Sequence, residues 1–250
     1  FKQKTAYEIS LGLVGSEMCI RDRYSADQLG KCGGSMTVLG IDLRSSPQHE
    51  SAVAILSESD KSLQSLTHFN TNEELSQIVV DQTPNQMAIG TPLTLPSGMC
   101  CLDKQCQCVS DNHTQKGRLC EIELAQMGIS CFFTSKGSII TNLIYRAITI
   151  RKILESMGYP VVEVYPHASK VILFGDSVPP KNNPGSLTFI ASRIEPMIAG
   201  VNSYSESLDI RACDALLNAY TGILYRESAT ELLGSGDEGI LAVPKLISSK

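Results

Sequence analysis

The sequence predicts one α/β domain in which helices flank a mixed central sheet. Three short apolar runs at hairpin spacing, TVLGIDL, SAVAILSE and SLQSLTHF, indicate three consecutive strands. Amphipathic helical segments then alternate with further apolar runs, so the predicted order is β-β-β-α-β-α-β. The chain has 250 residues, of which 42% are hydrophobic, and this is enough to bury a substantial core.

The composition and charge of the chain exclude several classes of protein. Charged residues make up 19% of the chain and the formal net charge is −5, which excludes a largely disordered protein. No apolar run approaches the roughly 18 residues that a membrane-spanning helix needs, so no membrane contact is expected. The mild acidity argues against a broad electrostatic surface for nucleic acid. Lys170 and Lys181 flank a Gly/Pro-rich loop and are predicted to be solvated, with phosphate contact as the alternative.

The predicted elements of the first half follow from local signals. TVLGIDL is nearly all apolar, which is typical of a strand buried on both faces, and the turn residues SESDK separate the second and third strands. Residues 70–72 offer an N-cap for a helix that carries Leu75 and Val79. The run QMAIGTPLTLP then predicts a fourth strand, which Pro92 and Pro96 stop.

The second half alternates helices with two more strands. Helices are predicted at about 117–127 and from Ser138 to Gly158, where apolar residues keep to one side. VVEVYP is the fifth strand and GILAVP is a short last strand. Between them, a polar Pro/Gly/Asn-rich loop is followed by helices at about 187–199 and 207–226.

The first segment shows neither a helical stripe nor strand alternation, and it lacks the pattern of a signal peptide. Lys2–Glu8 resembles the translation of a short-read library indexing primer, and Leu13–Asp22 resembles that of a transposase adapter. We therefore expect residues 1–23 to be translated adapter and all of 1–35 to be non-native and disordered. The native domain is then expected to comprise 36–250.

Three acidic residues lie where the pattern predicts apolar ones. Asp42 ends the first strand, Glu163 lies inside VVEVY, and Asp214 lies at the edge of a helical apolar stripe. A buried carboxylate without partners costs several kcal/mol, so each needs a cation or hydrogen bonds. One interpretation is that all three converge on one or two Mg²⁺ or Mn²⁺ ions, which hold phosphoryl oxygens and activate water. The other is that each residue caps or pairs separately.

Six sequence blocks carry a resemblance to a known family. They are MTVLGIDL, AIGTPLTLP, GRLCEIELAQMGI, VVEVYPHAS, RACDALLNAYT and DEGILAVP. Together they resemble the DUF429 family of predicted nucleases, which implies a ribonuclease H-like fold, a divalent-metal-dependent nuclease and nucleic acid as the partner. The resemblance matches Asp42 to the first-strand acid and Asp214 to the helix acid. It matches Arg118 and Glu121 to an R-x-C-E block, and Glu163 to an E-x-Y-P block.

These five residues are the predicted catalytic set. In it, Asp42, Glu163 and Asp214 hold the metal, while Arg118 steadies a phosphate through its planar guanidinium. Glu121 is a further metal ligand or base. Arg118 and Glu121 are three residues apart on one helical face, so an ordinary surface ion pair is the alternative.

One position departs from the family pattern. The family often has Asp in an I-D-x-P-L motif of the fourth strand, where this chain has Gly90. Glu163 or Glu121 could replace the missing acid, or the site could hold one metal or none. A non-catalytic binding or regulatory module on the same fold is therefore an alternative function. A kinase-like phosphotransferase is another, although 43–45 lack the small Gly and Thr residues of such enzymes.

Cysteines crowd the loop after the fourth strand, in an insertion at residues 97–120. They form a C-C-x4-C-x-C group followed by one more cysteine: Cys100, Cys101, Cys106, Cys108 and Cys120. Thiolates bind Zn²⁺ tetrahedrally, so a structural zinc that pins the loop is one interpretation, and free thiols or a redox-sensitive pair is the other. An odd number of cysteines in 36–250, without a secretory signal, also favours a reducing cytoplasm.

Overall fold

The computed structural model describes residues 36–108, 116–175 and 178–245. Expectations for residues 1–35 lie outside the described residues, and the division of the chain into a leader and a native domain stays a prediction. None of the described helices is both long and apolar enough to cross a membrane.

One mixed sheet forms the centre of the described structure. Its seven strands are β1 (Thr37–Asp42), β2 (Ser51–Ser57), β3 (Leu63–Phe69), β4 (Gln86–Ile89), β5 (Val161–Val164), β6 (Thr230–Ser235) and β7 (Gly239–Pro244). They lie in the order β3-β2-β1-β4-β5-β7-β6. β1, β4, β5 and β7 run parallel, whereas β2 is antiparallel to β1 and β3, and β6 is antiparallel to β7.

Helices connect the parallel strands and cover both faces of the sheet. They are α1 (Asn72–Gln82), α2 (Leu119–Gln126), α3 (Thr141–Ser156), α4 (Pro166–Phe174), α5 (Ser186–Ile194) and α6 (Ile210–Arg226), with a 3-10 segment at Val201–Ser207. An antiparallel β1-β2-β3 unit followed by the parallel strands β4 and β5 is the ribonuclease H-like arrangement. The predicted fold class is therefore confirmed.

Local signals place most elements as predicted but miss α4, β6 and the 3-10 segment at Val201–Ser207. Thr71 caps α1 within a capping box, in which its hydroxyl accepts from Glu74 N at 3.1 Å. The fifth strand stops before Pro166, because this proline is already the first residue of α4, a position where its missing N–H costs no helical hydrogen bond. β6 is missing from the prediction because its residues, TELLGS, alternate weakly and lie partly exposed at the sheet edge.

The two faces of the sheet carry separate apolar layers. Ile41 and Ile89 pack in one cluster with Leu75 of α1 and with residues of α3. Val38 packs in another cluster with Leu216 of α6 and with residues of α5. Alternate residues of a strand point to opposite faces. The odd-numbered residues of β1 therefore face α1 and α3, and the even-numbered residues face α6.

α6 approaches β1 closely at Gly40. A Cβ added at Gly40 would lie 2.1 Å from Ala219 N and 2.2 Å from Ala215 O, so only glycine leaves room for the helix backbone. The contact also lets Asn218 Nδ2 donate to Ile41 O at 2.8 Å. The N-terminal half of α6 is thereby held against the end of β1, where the cavity described below opens.

The contact at Gly40 predicts a strong dependence of folding on this glycine. We expect Gly40→Ala to lower the free energy of unfolding by ~3 kcal/mol or more, because the methyl group forces α6 away from the sheet. Gly236→Ala is the matched control, since a Cβ there meets nothing within 4 Å. Urea unfolding of the three proteins measures the difference. Equal stability of the two variants would contradict the role of this contact.

Candidate functional site

A cavity of about 680 Å³ lies at the edge of the sheet where β1, β4 and β5 end. It is lined by all five residues of the predicted catalytic set: Asp42, Arg118, Glu121, Glu163 and Asp214. The carboxyl ends of parallel strands border the ligand crevice of open α/β sheets, so the cavity lies where a site is expected.

The strand pleat divides the predicted carboxylates between the two faces of the sheet. Ile41, Ile89 and Glu163 occupy one row across β1, β4 and β5. Residues in one row project to the same face, and the next residue along each strand projects to the opposite face. Glu163 therefore lies on the α3 side with Ile41, whereas Asp42 lies on the α6 side with Asp214.

The three carboxylates consequently line the same cavity, but they do not come close enough together to share one metal ion. Within the described residues, the only group of three or more Cys, His, Asp or Glu side chains whose ligand atoms all lie within 4.8 Å of one another consists of cysteines. Ligand oxygens around one Mg²⁺ lie closer together than this limit, because each is about 2.1 Å from the ion. One ion cannot contact Asp42, Glu163 and Asp214 in these positions.

Asp214 is paired with two lysines of the chain itself. Its Oδ1 contacts Nζ of Lys170, and its Oδ2 accepts from Nζ of Lys181 at 3.0 Å. Lys170 comes from α4 and is 6% exposed, while Lys181 comes from the loop before α5 and is largely exposed. The prediction that both lysines are solvated is therefore wrong for Lys170, which needs its ion pair because it is buried.

Asp42 ends β1 on the same side of the cavity as Asp214. Burial, followed by the negative charge of Asp214, raises the pKa of Asp42 from 3.8 to about 7. Lys181, Lys170 and Arg44 act in the opposite direction, so the raised pKa already includes their effect. The two aspartates thus form a like-charged pair that a proton or a cation stabilises.

Arg118 lies on the other side of the cavity in a buried ion-pair network. Its guanidinium donates to Glu163 at 2.5 and 2.8 Å, to Glu121 at 3.0 Å and to Thr94 at 2.9 Å. The residue is 1% exposed. Burial acts to lower the pKa of Arg118, but the charge of Glu163 and its hydrogen bonds outweigh burial and raise it. Arg118 is therefore a permanent cation in the cavity wall.

Backbone donors complete the partners of both glutamates. Leu93 N donates to Glu163 at 2.8 Å, and Thr134 N donates to Glu121 at 2.8 Å. The guanidinium of Arg118 is enclosed by these carboxylates, which corrects the expectation that it steadies a phosphate. The alternative of an Arg118–Glu121 ion pair matches the contacts, except that the pair is buried rather than on the surface.

Gly90 stands where the family resemblance expects an acid, and Asn218 fills the space beside it. A Cβ at Gly90 would lie 2.4 Å from Nδ2 of Asn218. Asn218 is fully buried and is missing from the predicted set. It lies four residues after Asp214, so the two side chains share one face of α6. This pair of polar residues within an apolar stripe is the sequence signal that could have identified it.

Four of the five predicted cysteines come together. Their sulfur atoms all lie within 4.8 Å of one another in the group Cys100, Cys101, Cys106 and Cys108. Cys120 does not join them, which corrects the five-cysteine group. It lies in the first turn of α2, fully buried in an apolar cluster with Leu124 and Leu233, and is thus a core residue.

Comparison with solved structures finds a remote likeness. No family model matches the chain, and no curated protein matches it. Membership of the DUF429 family therefore stays an expectation. Among solved structures, RuvC of Thermus thermophilus is similar at 12% sequence identity and a TM-score of 0.45, covering 77% of this chain and 97% of that one.

The Arg118 network predicts a large energetic effect. We expect Arg118→Met to lower the free energy of unfolding by ~3–5 kcal/mol, because it leaves two buried glutamates without their cation. Arg151→Met is the matched control, since Arg151 pairs with Glu155 on the exposed face of α3 and such pairs contribute ~1 kcal/mol or less. Chemical denaturation measures both. A loss no larger than that of the control would contradict the network's role.

The raised pKa of Asp42 predicts how stability depends on pH in the presence of a chelator. The folded state holds this proton more tightly than the unfolded state, so Asp42 favours folding below about pH 4, and this contribution is lost as the pH rises through about 7. Over that range we expect Asp42→Asn to become more stable than wild type by at most ~4 kcal/mol. Urea unfolding at several pH values measures the trend, and Asp81→Asn, at an exposed position of α1, is the control. A pH-independent difference would contradict the shift.

Proposed function

We propose that this chain is a nuclease that hydrolyses phosphodiester bonds of nucleic acid with one divalent cation, Mg²⁺ or Mn²⁺. In this proposal Asp42 and Asp214 hold the cation, and water is the nucleophile. The observation that carries it is that these two carboxylates share one side of a large cavity with Lys170 and Lys181.

The donor groups fit such an ion. Mg²⁺ is usually bound through one or two carboxylates together with water and substrate phosphate, and Asp42 and Asp214 supply the carboxylates. No described residue donates a hydrogen bond to the Asp42 carboxylate, so its oxygens are available inside the cavity. When bound, the cation would stabilise charge on phosphoryl oxygens and activate water for in-line displacement.

The lysines supply positive charge for the substrate. Lys170 lines the cavity with its ammonium group on Asp214, so a phosphate oxygen bound beside Asp214 lies within reach of it. Lys181 is on the exposed loop at the mouth of the cavity and is suited to a neighbouring phosphate of the same strand. Such local contacts are compatible with the overall acidity of the chain.

The other three residues of the predicted set have a positioning role in this proposal. Arg118 joins α2 to β5 through Glu163, and it contacts Thr94 in the segment after β4. Glu121 joins α2 to Thr134. These contacts hold the cavity wall opposite Asp42, and none of the three groups needs to contact substrate.

The proposal predicts cation-dependent cleavage that requires Asp42. Full-length protein is assayed on single-stranded, duplex and RNA–DNA hybrid substrates with Mg²⁺ or Mn²⁺. We expect Asp42→Asn to lower the cleavage rate by about two orders of magnitude or more, because a cation ligand is lost. Asp209→Asn is the matched control, since it lies just before α6, outside the cavity lining, and asparagine also caps helices.

The outcomes of this assay separate two functions. No cleavage by wild type with either cation, or equal cleavage by Asp42→Asn, contradicts the nuclease. A non-catalytic phosphate-binding module is the second candidate, favoured because Lys170 and Lys181 already neutralise Asp214 and because Gly90 supplies no acid. For that module we expect calorimetry to detect nucleic-acid binding that Lys181→Gln weakens, without any binding of divalent cations.

A further inference from the structure

The cysteine group in the loop between β4 and α2 has the arrangement of a metal site. The Sγ atoms of Cys100 and Cys106 are 3.7 Å apart, and all four sulfur atoms of the group lie within 4.8 Å of one another. Every member is a free thiol. Cys100 is exposed and the other three are partly buried, so the group is accessible from solvent.

A tight turn brings the two halves of the group together. Cys106 N donates to Asp103 O at 3.3 Å, and Gln105 N donates to the Asp103 side chain at 2.9 Å. The chain therefore reverses between the adjacent pair Cys100–Cys101 and the later cysteines. The nine residues 100–108 can thus supply four sulfur ligands. Two adjacent cysteines come first, a turn of four residues follows, and two more cysteines separated by one residue come last.

The rest of the domain holds this loop in place. Leu102 is 1% exposed, and its backbone N donates to the Tyr145 hydroxyl of α3 at 2.6 Å. Gly137 N donates to Leu102 O at 2.9 Å, and Lys136 Nζ donates to Cys106 O. The sulfur atoms are therefore carried on an anchored backbone.

We propose that Cys100, Cys101, Cys106 and Cys108 bind one Zn²⁺ ion as a tetrahedral four-thiolate site. Zn–S bonds of about 2.3 Å at the tetrahedral angle place sulfur atoms ~3.8 Å apart, which is close to the Cys100–Cys106 separation and within the spread of the whole group. On binding, the four thiols release their protons to solvent as four Zn–S bonds form, and no electron transfer takes place.

A lysine beside the cysteine group suits such a site. Zinc with four thiolates carries a net charge of −2, and a nearby cation offsets it. Lys136 contacts the carbonyl of Cys106, and Lys104 lies against Gly137 of the same neighbouring segment. The Lys136 ammonium group thus lies beside the backbone of the cysteine group.

Four protein ligands close the coordination sphere, which makes the site structural rather than catalytic. The loop that it would pin runs from the end of β4, which borders the cavity, to Arg118 at the start of α2. The inference does not depend on the proposed nuclease, because zinc can stabilise this loop whether or not the cavity hydrolyses phosphodiesters.

Zinc content of the full-length protein tests the site. We expect wild type purified under reducing conditions to contain about one zinc per chain and to take up one Co²⁺ in its place, with the thiolate-to-cobalt absorption of a tetrahedral site. Cys106→Ser is expected to lower zinc affinity by ~100-fold or more. Cys131→Ser is the matched control, because Cys131 is a partly buried free thiol outside the group.

Three results would overturn the proposal. They are wild type that takes up neither zinc nor cobalt, a cobalt spectrum without thiolate charge transfer, and equal metal content in Cys106→Ser and Cys131→Ser. The cobalt spectrum of wild type decides the question even if the serine variant at Cys106 fails to fold. If these four cysteines form two disulfides even in protein purified under reducing conditions, they cannot bind zinc or cobalt. This outcome would also overturn the proposal.

Discussion

Helix α6 rests on β1 with no side chain between the two backbones at Gly40, and the polar end of the molecule depends on this contact. It brings Asp214 to the side of the sheet where Asp42 projects, and it places the amide of Asn218 on Ile41 O. A larger residue at Gly40 would separate the helix from the strand by the length of a methyl group or more. The two aspartates would then no longer share their side of the cavity.

The acids that line the cavity divide into a closed side and an open side. On the closed side, Arg118 and the backbone N–H of Leu93 occupy the oxygens of Glu163, so this carboxylate acts as a structural anion. On the open side, Asp42 and Asp214 repel each other and are balanced by Lys170 from within the fold. A divalent cation on the open side, as proposed above, would have to compete with that lysine, so its affinity would report the strength of the ion pair.

The cysteine group and the cavity are two separate features that one loop connects. Thr94 and Arg118 lie at the two ends of this loop and hydrogen-bond to each other at 2.9 Å. Cys100 and Cys106 lie between them, on a backbone fastened to α3 through Leu102. A bound zinc would tie the first two cysteines of the group to the last two, and the Arg118 network fixes the C-terminal end of the loop.

The family resemblance supplied Arg118, Glu121 and the ribonuclease H-like class. Periodicity and turn signals predicted the first three strands, the cap at Thr71 and the unusual acids Asp42, Glu163 and Asp214, because these depend on local chain geometry. They could not show that Glu163 projects to the opposite face from Asp42, since that follows from the register between strands far apart in the chain. Nor could they show the pairing of Asp214 with Lys170, which requires α4 and α6 to pack together. The amino-acid sequence alone shows which charged residues the chain contains. Only tertiary packing decides which of them form ion pairs with each other.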